Sequence, residues 1–177
     1  VDYLGYDARH VALGDVEADG DLDLVAGSNP TWVYLMLNDG AAHFADATAQ
    51  LPPLSELGDT THLGLGDLDG DQDLDLVFGR HEWSSAERNL LYLNDGSGLF
   101  TDASDRIPAV FDDYLLVDVD EDRDLDLFGG SALLLNDGGG TFAEALDQLP
   151  AELDGPRELG DLDGDGDLDA LVAPGGQ

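Results

Sequence analysis

The sequence predicts an all-β fold built from β-propeller-type blades of four antiparallel strands, with about three and a half blades present. Three observations predict it. An acid-rich segment recurs four times along the 177 residues. A second motif, Leu-Asn-Asp-Gly, alternates with the first. The apolar runs between them are too short for helices and lack a 3.6-residue period.

The acid-rich segments are GDVEADGDLDLVAG from Gly14, GDLDGDQDLDLVFG from Gly66, VDVDEDRDLDLFGG from Val117 and GDLDGDGDLDALVA from Gly160. Their leading aspartates, Asp15, Asp67, Asp118 and Asp161, are spaced by 52, 51 and 43 residues. Between them stand YLMLNDGAAHFADAT from Tyr34, LYLNDGSGLFTDAS from Leu91 and LLLNDGGGTFAEA from Leu133. The chain therefore reads as a single repeat domain, 1–177, with units near 10–60, 61–112 and 113–155 and a partial unit at 156–177. In unit two, strands are expected at His62–Gly66, Leu74–Phe78, Leu90–Leu93 and Leu99–Ala103. Asn94-Asp95-Gly96 supplies the hairpin between the last two, since Asn and Gly accept positive φ. Pro52, Pro53, Pro108 and Pro150 fall between units, and the inter-unit loops are expected at 52–60 and 105–113.

Composition supports a folded domain and excludes several classes of function. Apolar residues make up 42% of the chain, interleaved with the acids, so a packed core is within reach and an acidic disordered tail is not the pattern. Forty acids against six Lys and Arg give a net charge of −34. Binding nucleic acid through phosphates needs the cations this chain lacks, and an anionic membrane would repel it. There is no cysteine, hence no disulfide or thiolate metal site. No apolar run approaches the ~20 residues of a membrane helix, so no membrane insertion is expected. The chain opens on Val1 without a signal peptide, which reads as a processed product or an excised fragment.

The acid segments share the template D-x-D-x-D-x-D-x-D. Its members are Asp15, Glu17, Asp19, Asp21 and Asp23; Asp67, Asp69, Asp71, Asp73 and Asp75; Asp118, Asp120, Asp122, Asp124 and Asp126; and Asp161, Asp163, Asp165, Asp167 and Asp169. These are 20 of the 40 acids, so the acids are concentrated rather than scattered. Carboxylates this close repel unless a cation lies among them. Ca2+ takes 6–8 oxygens at roughly 2.3–2.6 Å in a flexible shell, which suits a loop pointing positions 1, 3 and 5 inward, giving a carbonyl at 7 and closing with a later acid. Mg2+ keeps waters and a strict octahedron, and zinc or copper would call for His or Cys. An EF-hand needs an acid at position 12 and a following helix. Here position 12 is Ala26, Phe78, Gly129 or Val172, a strand-like segment follows, and the closing acid stands at position 9. Up to four Ca2+ per chain are expected. Loop four, with Gly164 and Gly166, has the cleanest turn. Loop three should bind weakest, because Arg123 puts a Cβ and a positive charge at position 6.

The loops, followed by LDLV and then LxLNDGxGxF, resemble FG-GAP/VCBS repeats, the calcium-binding blades of integrin-α-like β-propellers. The resemblance spans nearly the whole chain. It implies an ion in the hairpin between the first two strands of each blade. It also implies side-chain ligation by Asp15, Glu17, Asp19 and Asp23, carbonyl ligation by Asp21, and the same roles at matching positions of the other loops. Propellers of that family usually have seven blades, so this chain reads as a segment of a larger one, or as a protein that self-assembles through open blade edges.

The function expected is a calcium-stabilised extracellular or secreted binding and adhesion module, with the periplasm or a cell surface as other locations. Its partner would be a protein or glycan at a cell surface or matrix. One alternative is a structural repeat subunit of an extracellular fibre or surface assembly. Another is a calcium-dependent propeller enzyme acting on carbohydrate, although no nucleophile motif accompanies the four histidines and no catalysis is expected. His10 and His62 share one register and read as strand positions, His43 and His81 as loop residues, and Trp32 and Trp83 as packing residues after the second strands.

Overall fold

The computed structural model describes residues 8–28, 33–54, 58–82, 88–109, 114–129, 132–145, 157–160 and 169–172. Three four-stranded antiparallel sheets follow one another along the chain. The first holds β1 (Ala8–Gly14), β2 (Asp23–Ser28), β3 (Val33–Asn38) and β4 (Phe44–Asp46). The second holds β5 (Gly58–Gly66), β6 (Asp75–Glu82), β7 (Arg88–Asn94) and β8 (Phe100–Asp102). The third holds β9 (Tyr114–Val117), β10 (Asp126–Gly129), β11 (Leu133–Asn136) and β12 (Phe142–Glu144). A two-stranded sheet, β13 (Arg157–Gly160) with β14 (Asp169–Val172), comes last. In each sheet, strands adjacent in sequence are adjacent in space, the meander of a propeller blade.

The two larger cores lie between blades, and a smaller cluster of Phe128, Leu133 and Ala145 lies within blade three. Because side chains alternate across a strand, a central strand can feed two cores at once. On β6, Leu76 and Phe78 join Val16, Val25 and Leu35 of blade one, while Val77 joins Leu127 and Leu134 of blade three. All three β6 side chains are fully buried. Phe78 meets Tyr92 edge to face at 5.1 Å between ring centroids, a favoured aromatic geometry. The glycine that opens two of the acid motifs marks the close approach of the next blade. A Cβ on Gly14 would sit 2.6 Å from Leu74 Cδ1, and one on Gly66 would sit 2.7 Å from Leu125 Cδ1.

The first two sheets close on a short local device. Asp46 Oδ1 accepts from Thr48 N–H, and Thr48 Oγ1 accepts from Leu35 N–H. Asp102, Ser104 and Leu91 repeat the pair. The segments Thr48–Gln50 and Ser104–Arg106 form single 3-10 turns.

Several boundaries differ from the sequence reading. The linker expected at 52–60 ends earlier, since β5 begins at Gly58 and pairs with Glu82 at the far end of β6. The same long pairing places His81 in a strand rather than a loop. The linker expected at 105–113 overlaps the second 3-10 turn. Residues 55–57 and 110–113, Pro150, Trp32 and Trp83 lie outside the described residues.

Val11 and Leu63 hold the same register against Ala26 and Phe78. Yet Val11 is 62% exposed and Leu63 only 7%. Leu63→Ala should therefore cost about 2–5 kcal/mol in urea unfolding, and Val11→Ala less than about 0.5 kcal/mol. Equal losses would show that the core does not lie between blades.

Candidate metal centre

Every described acid loop connects the first two strands of its sheet, and its ninth residue starts the second strand. That residue, Asp23, Asp75 or Asp126, is fully buried. Each of its oxygens takes a backbone N–H. Asp23 Oδ2 accepts from Val16 at 2.9 Å and Oδ1 from Asn38 at 2.8 Å. Asp75 accepts from Leu68 and Asn94, both at 2.9 Å. Asp126 accepts from Val119 and Asn136, both at 2.9 Å. One carboxylate thus ties loop position 2 to the end of the third strand. Sequence reasoning assigned this acid to an ion alone and missed the clamp; the apolar residue at position 2 (Val16, Leu68, Val119) was the available signal.

The loop turns on two residues of positive φ. At position 6 these are Gly20 (95°), Gln72 (76°) and Arg123 (81°); at position 4 they are Ala18 (55°), Gly70 (80°) and Glu121 (63°). The strain expected of Arg123 is present, and loop three alone has non-glycine residues with long side chains at both places. The leading aspartate organises the curl. Asp15 accepts from Asp19 and Gly20, Asp67 from Gly70 and Gln72, and Asp118 from Arg123.

The acids converge unequally. Asp67, Asp69 and Asp71 each bring an oxygen within 4.8 Å of the others, and so do Asp118, Asp120 and Asp126. Loop one forms no such group; Glu17 stands at its position 3, with a side chain one methylene longer. Asp161, Asp163, Asp165 and Asp167 lie outside the described residues, and of Asp169 only the backbone, paired with Gly160, is described. In both convergent loops one carboxylate oxygen is buried without a hydrogen-bond partner, Asp69 Oδ1 in loop two and Asp118 Oδ1 in loop three. A buried anionic oxygen with no donor is costly, and a hard cation is the partner such a set of oxygens fits. Proton affinities agree in direction. Burial, followed by the charge of Asp71, raises Asp69; burial, followed by the charges of Asp122, Asp118 and Asp120, raises Asp124. Burial also raises Glu17 and Asp126.

The position-7 acids face elsewhere. A Cβ on Gly40, Gly96 or Gly138 would collide with the carboxylate of Asp21, Asp73 or Asp124, respectively. These glycines also have φ of 73°, 77° and 75°, so both space and backbone demand Gly in the Asn-Asp-Gly turn. None of these Asn residues takes the positive φ expected, and Asn94 braces the turn instead through Oδ1, which accepts from Gly98 N–H at 3.1 Å. Asn38, Asn94 and Asn136 end their strands and act through their side chains. Asn38 Nδ2 donates to Leu22 O. Asn94 Nδ2 donates to Leu74 O and also to Val16 O of the preceding unit, at 2.7 Å. The middle Asp caps the turn: Asp39 accepts from Ala41, Asp95 from Ser97, Asp137 from Gly139, and these bonds lower each carboxyl.

Residues 15–78 match the model of an FG-GAP-like repeat. The match runs from the leading aspartate of loop one to the middle of β6, so it takes in both acid loops of the first two sheets and the Asn-Asp-Gly turn between them. No curated protein matches the chain. The same loop and turn recur in blade three, beyond the matched residues.

Burial pushes the Asp75 carboxyl up to about 7, against the lowering pull of the Asn94 and Leu68 N–H groups. A carboxyl raised above its unfolded value near 3.9 binds its proton more tightly in the folded state. Its contribution to stability is therefore complete below about pH 4 and lost as pH rises through about 7. In chelator-treated protein, the Asp75 carboxyl carbon should titrate near pH 7 by NMR, and stability should fall between pH 5 and pH 8. A midpoint near 4 would contradict the burial argument. Arg123→Gly, by relieving a left-handed Cβ, should stabilise the ion-free protein by up to about 1 kcal/mol in a thermal melt.

Proposed function

We propose that the chain is a calcium-stabilised β-propeller-type binding module of the extracellular space, engaging a protein or glycan partner and carrying no catalysis. The observation that carries the calcium part is the convergence of Asp67, Asp69 and Asp71, and of Asp118, Asp120 and Asp126, each group with a buried oxygen that no donor reaches. Asp67, Asp69 and Asp71 would hold the ion of loop two; Asp118, Asp120 and Asp126 that of loop three. The FG-GAP-like match supports the same reading. So does the charge of −34, which each divalent ion would reduce by two. An unfolded chain has no preformed site, so binding free energy becomes folding free energy. Free calcium outside the cytosol fills even millimolar sites, which places such a protein there. Among the described residues no helix is long and apolar enough to cross a membrane. A scaffold stapled in this way can present partner-binding loops at fixed positions.

A second reading, a structural subunit of an extracellular assembly, is favoured by Val11 and Leu13, which leave an apolar patch exposed on β1. Sedimentation over a range of concentrations separates the two: a constant mass fits the module, and growth with concentration fits the assembly.

Isothermal titration of calcium into chelator-stripped protein tests the main reading. Saturation at three or four ions per chain, with a rise in melting temperature, is the expected result. No heat of binding, together with an unchanged melt in chelator, would sink it.

A further inference from the structure

We propose that Asn94 and Asn136 are positioning residues for the metal loop of the preceding unit, so that an ion bound in one loop strengthens the docking of the next blade. The inference rests on the calcium reading above and adds a direction to it: loops one and two are each completed from the C-terminal neighbour.

Loop position 2 is held from both sides. The N–H of Val16 is bound by Asp23 of its own unit, and its carbonyl accepts from Asn94 Nδ2, 78 residues away, at 2.7 Å. The N–H of Leu68 is bound by Asp75, and its carbonyl accepts from Asn136 Nδ2 at 2.8 Å. These residues sit between positions 1 and 3, the first two acids of each candidate shell. The side chains of Val16 and Leu68 are buried in the core shared with the following blade. The next unit's turn presses on position 3 as well. A Cβ on Gly98 would lie 3.9 Å from Glu17 Cβ, and one on Gly140 would lie 3.3 Å from Asp69 Cβ. Asn38 provides the contrast, since among the described residues its amide donates within its own unit, to Leu22 O. Whatever fixes the direction of positions 1 and 3 sets how well they meet a cation. Linkage is reciprocal, so the ion must favour the docked neighbour by the same factor.

The test is a calcium titration of the full, chelator-stripped chain, with the amide signals of Gly20, Gly70 and Glu121 reporting loops one, two and three. Wild type is compared with Asn38→Ala, Asn94→Ala and Asn136→Ala. Asn94→Ala should weaken loop one about tenfold, and Asn136→Ala should weaken loop two about tenfold while sparing loop one. Asn38→Ala measures the loss of the within-unit bond alone. If wild type takes up no calcium, the calcium reading and this inference fall together. If wild type binds and loop one of Asn94→Ala titrates as in wild type, the inference alone is overturned. Should a variant not fold, the reciprocal effect decides. Calcium should slow hydrogen exchange of the Asn94 side-chain amide, Asp15→Asn should diminish that slowing, and Asp118→Asn should leave it intact. An Asp15→Asn protein in which the slowing is undiminished would overturn the proposal.

Discussion

A carboxylate removed from water must find hydrogens elsewhere or take up a proton, because the solvation it gives up is large. Asp23, Asp75 and Asp126 are removed from water completely. Each meets the requirement with two backbone N–H groups, one from its own loop and one from the asparagine that ends the third strand. Much of the blade depends on this constraint. The carboxylate fixes where the loop begins its curl, where the second strand starts and where the third strand stops. Aspartate is the residue that can do so, since its short stem places two acceptors against two donors on opposite sides. Even so, two N–H groups do not fully replace water around Asp75, whose proton affinity stays high. A cation bound among the loop acids, as proposed above, would supply what those bonds leave wanting.

The same asparagines carry the constraint outward. Their backbone N–H belongs to the carboxylate of their own unit, and in units two and three their side-chain amide reaches the loop of the unit before. A single residue therefore belongs to two blades. Arg106 adds to the seam between blades two and three, donating to Gly139 O at 3.3 Å. With the two larger cores also lying between sheets, much of the packing among the described residues joins one blade to the next. That is the energetics of a repeat array, in which each unit gains its stability from its neighbours.

The blade was legible in the sequence because its signals are local. Strand lengths, the Asn-Asp-Gly turn and the acid template each depend on residues a few positions apart, and the strands of unit two fall within a few residues of where the pattern places them. Signals that span units were not legible. Nothing local distinguishes an Asn that allows positive φ from one that ends a strand and bonds a carbonyl 78 residues away. Nor does the template reveal that position 9 also accepts two N–H groups, or that loop one, with Glu17, converges less than its sisters. The far end of β5 was misplaced for a related reason. Pairing with β6 carries it back to Gly58, across a stretch whose Gly, Asp and Thr composition reads as a linker.

Differences among the units now acquire a physical reading. Gly98 and Gly140 are buried, at φ of 77° and 73°, where the preceding loop comes close. The first unit has Ala42 at the same place, still at a positive φ of 61° but exposed. The backbone of the turn demands the left-handed conformation in all three, and an Ala can bear that at a modest cost. Among the described residues no acid loop of an earlier unit stands against Ala42. Val11 and Leu13 vary by the same rule, exposed in unit one where Leu63 and Leu65 are covered in unit two. The glycine after the turn is thus a mark of contact with another blade rather than of the turn itself. A repeat motif of this kind records two kinds of constraint, one from the chain's own geometry and one from what packs against it. Among the described units, it is the second that differs at Ala42, Val11 and Leu13.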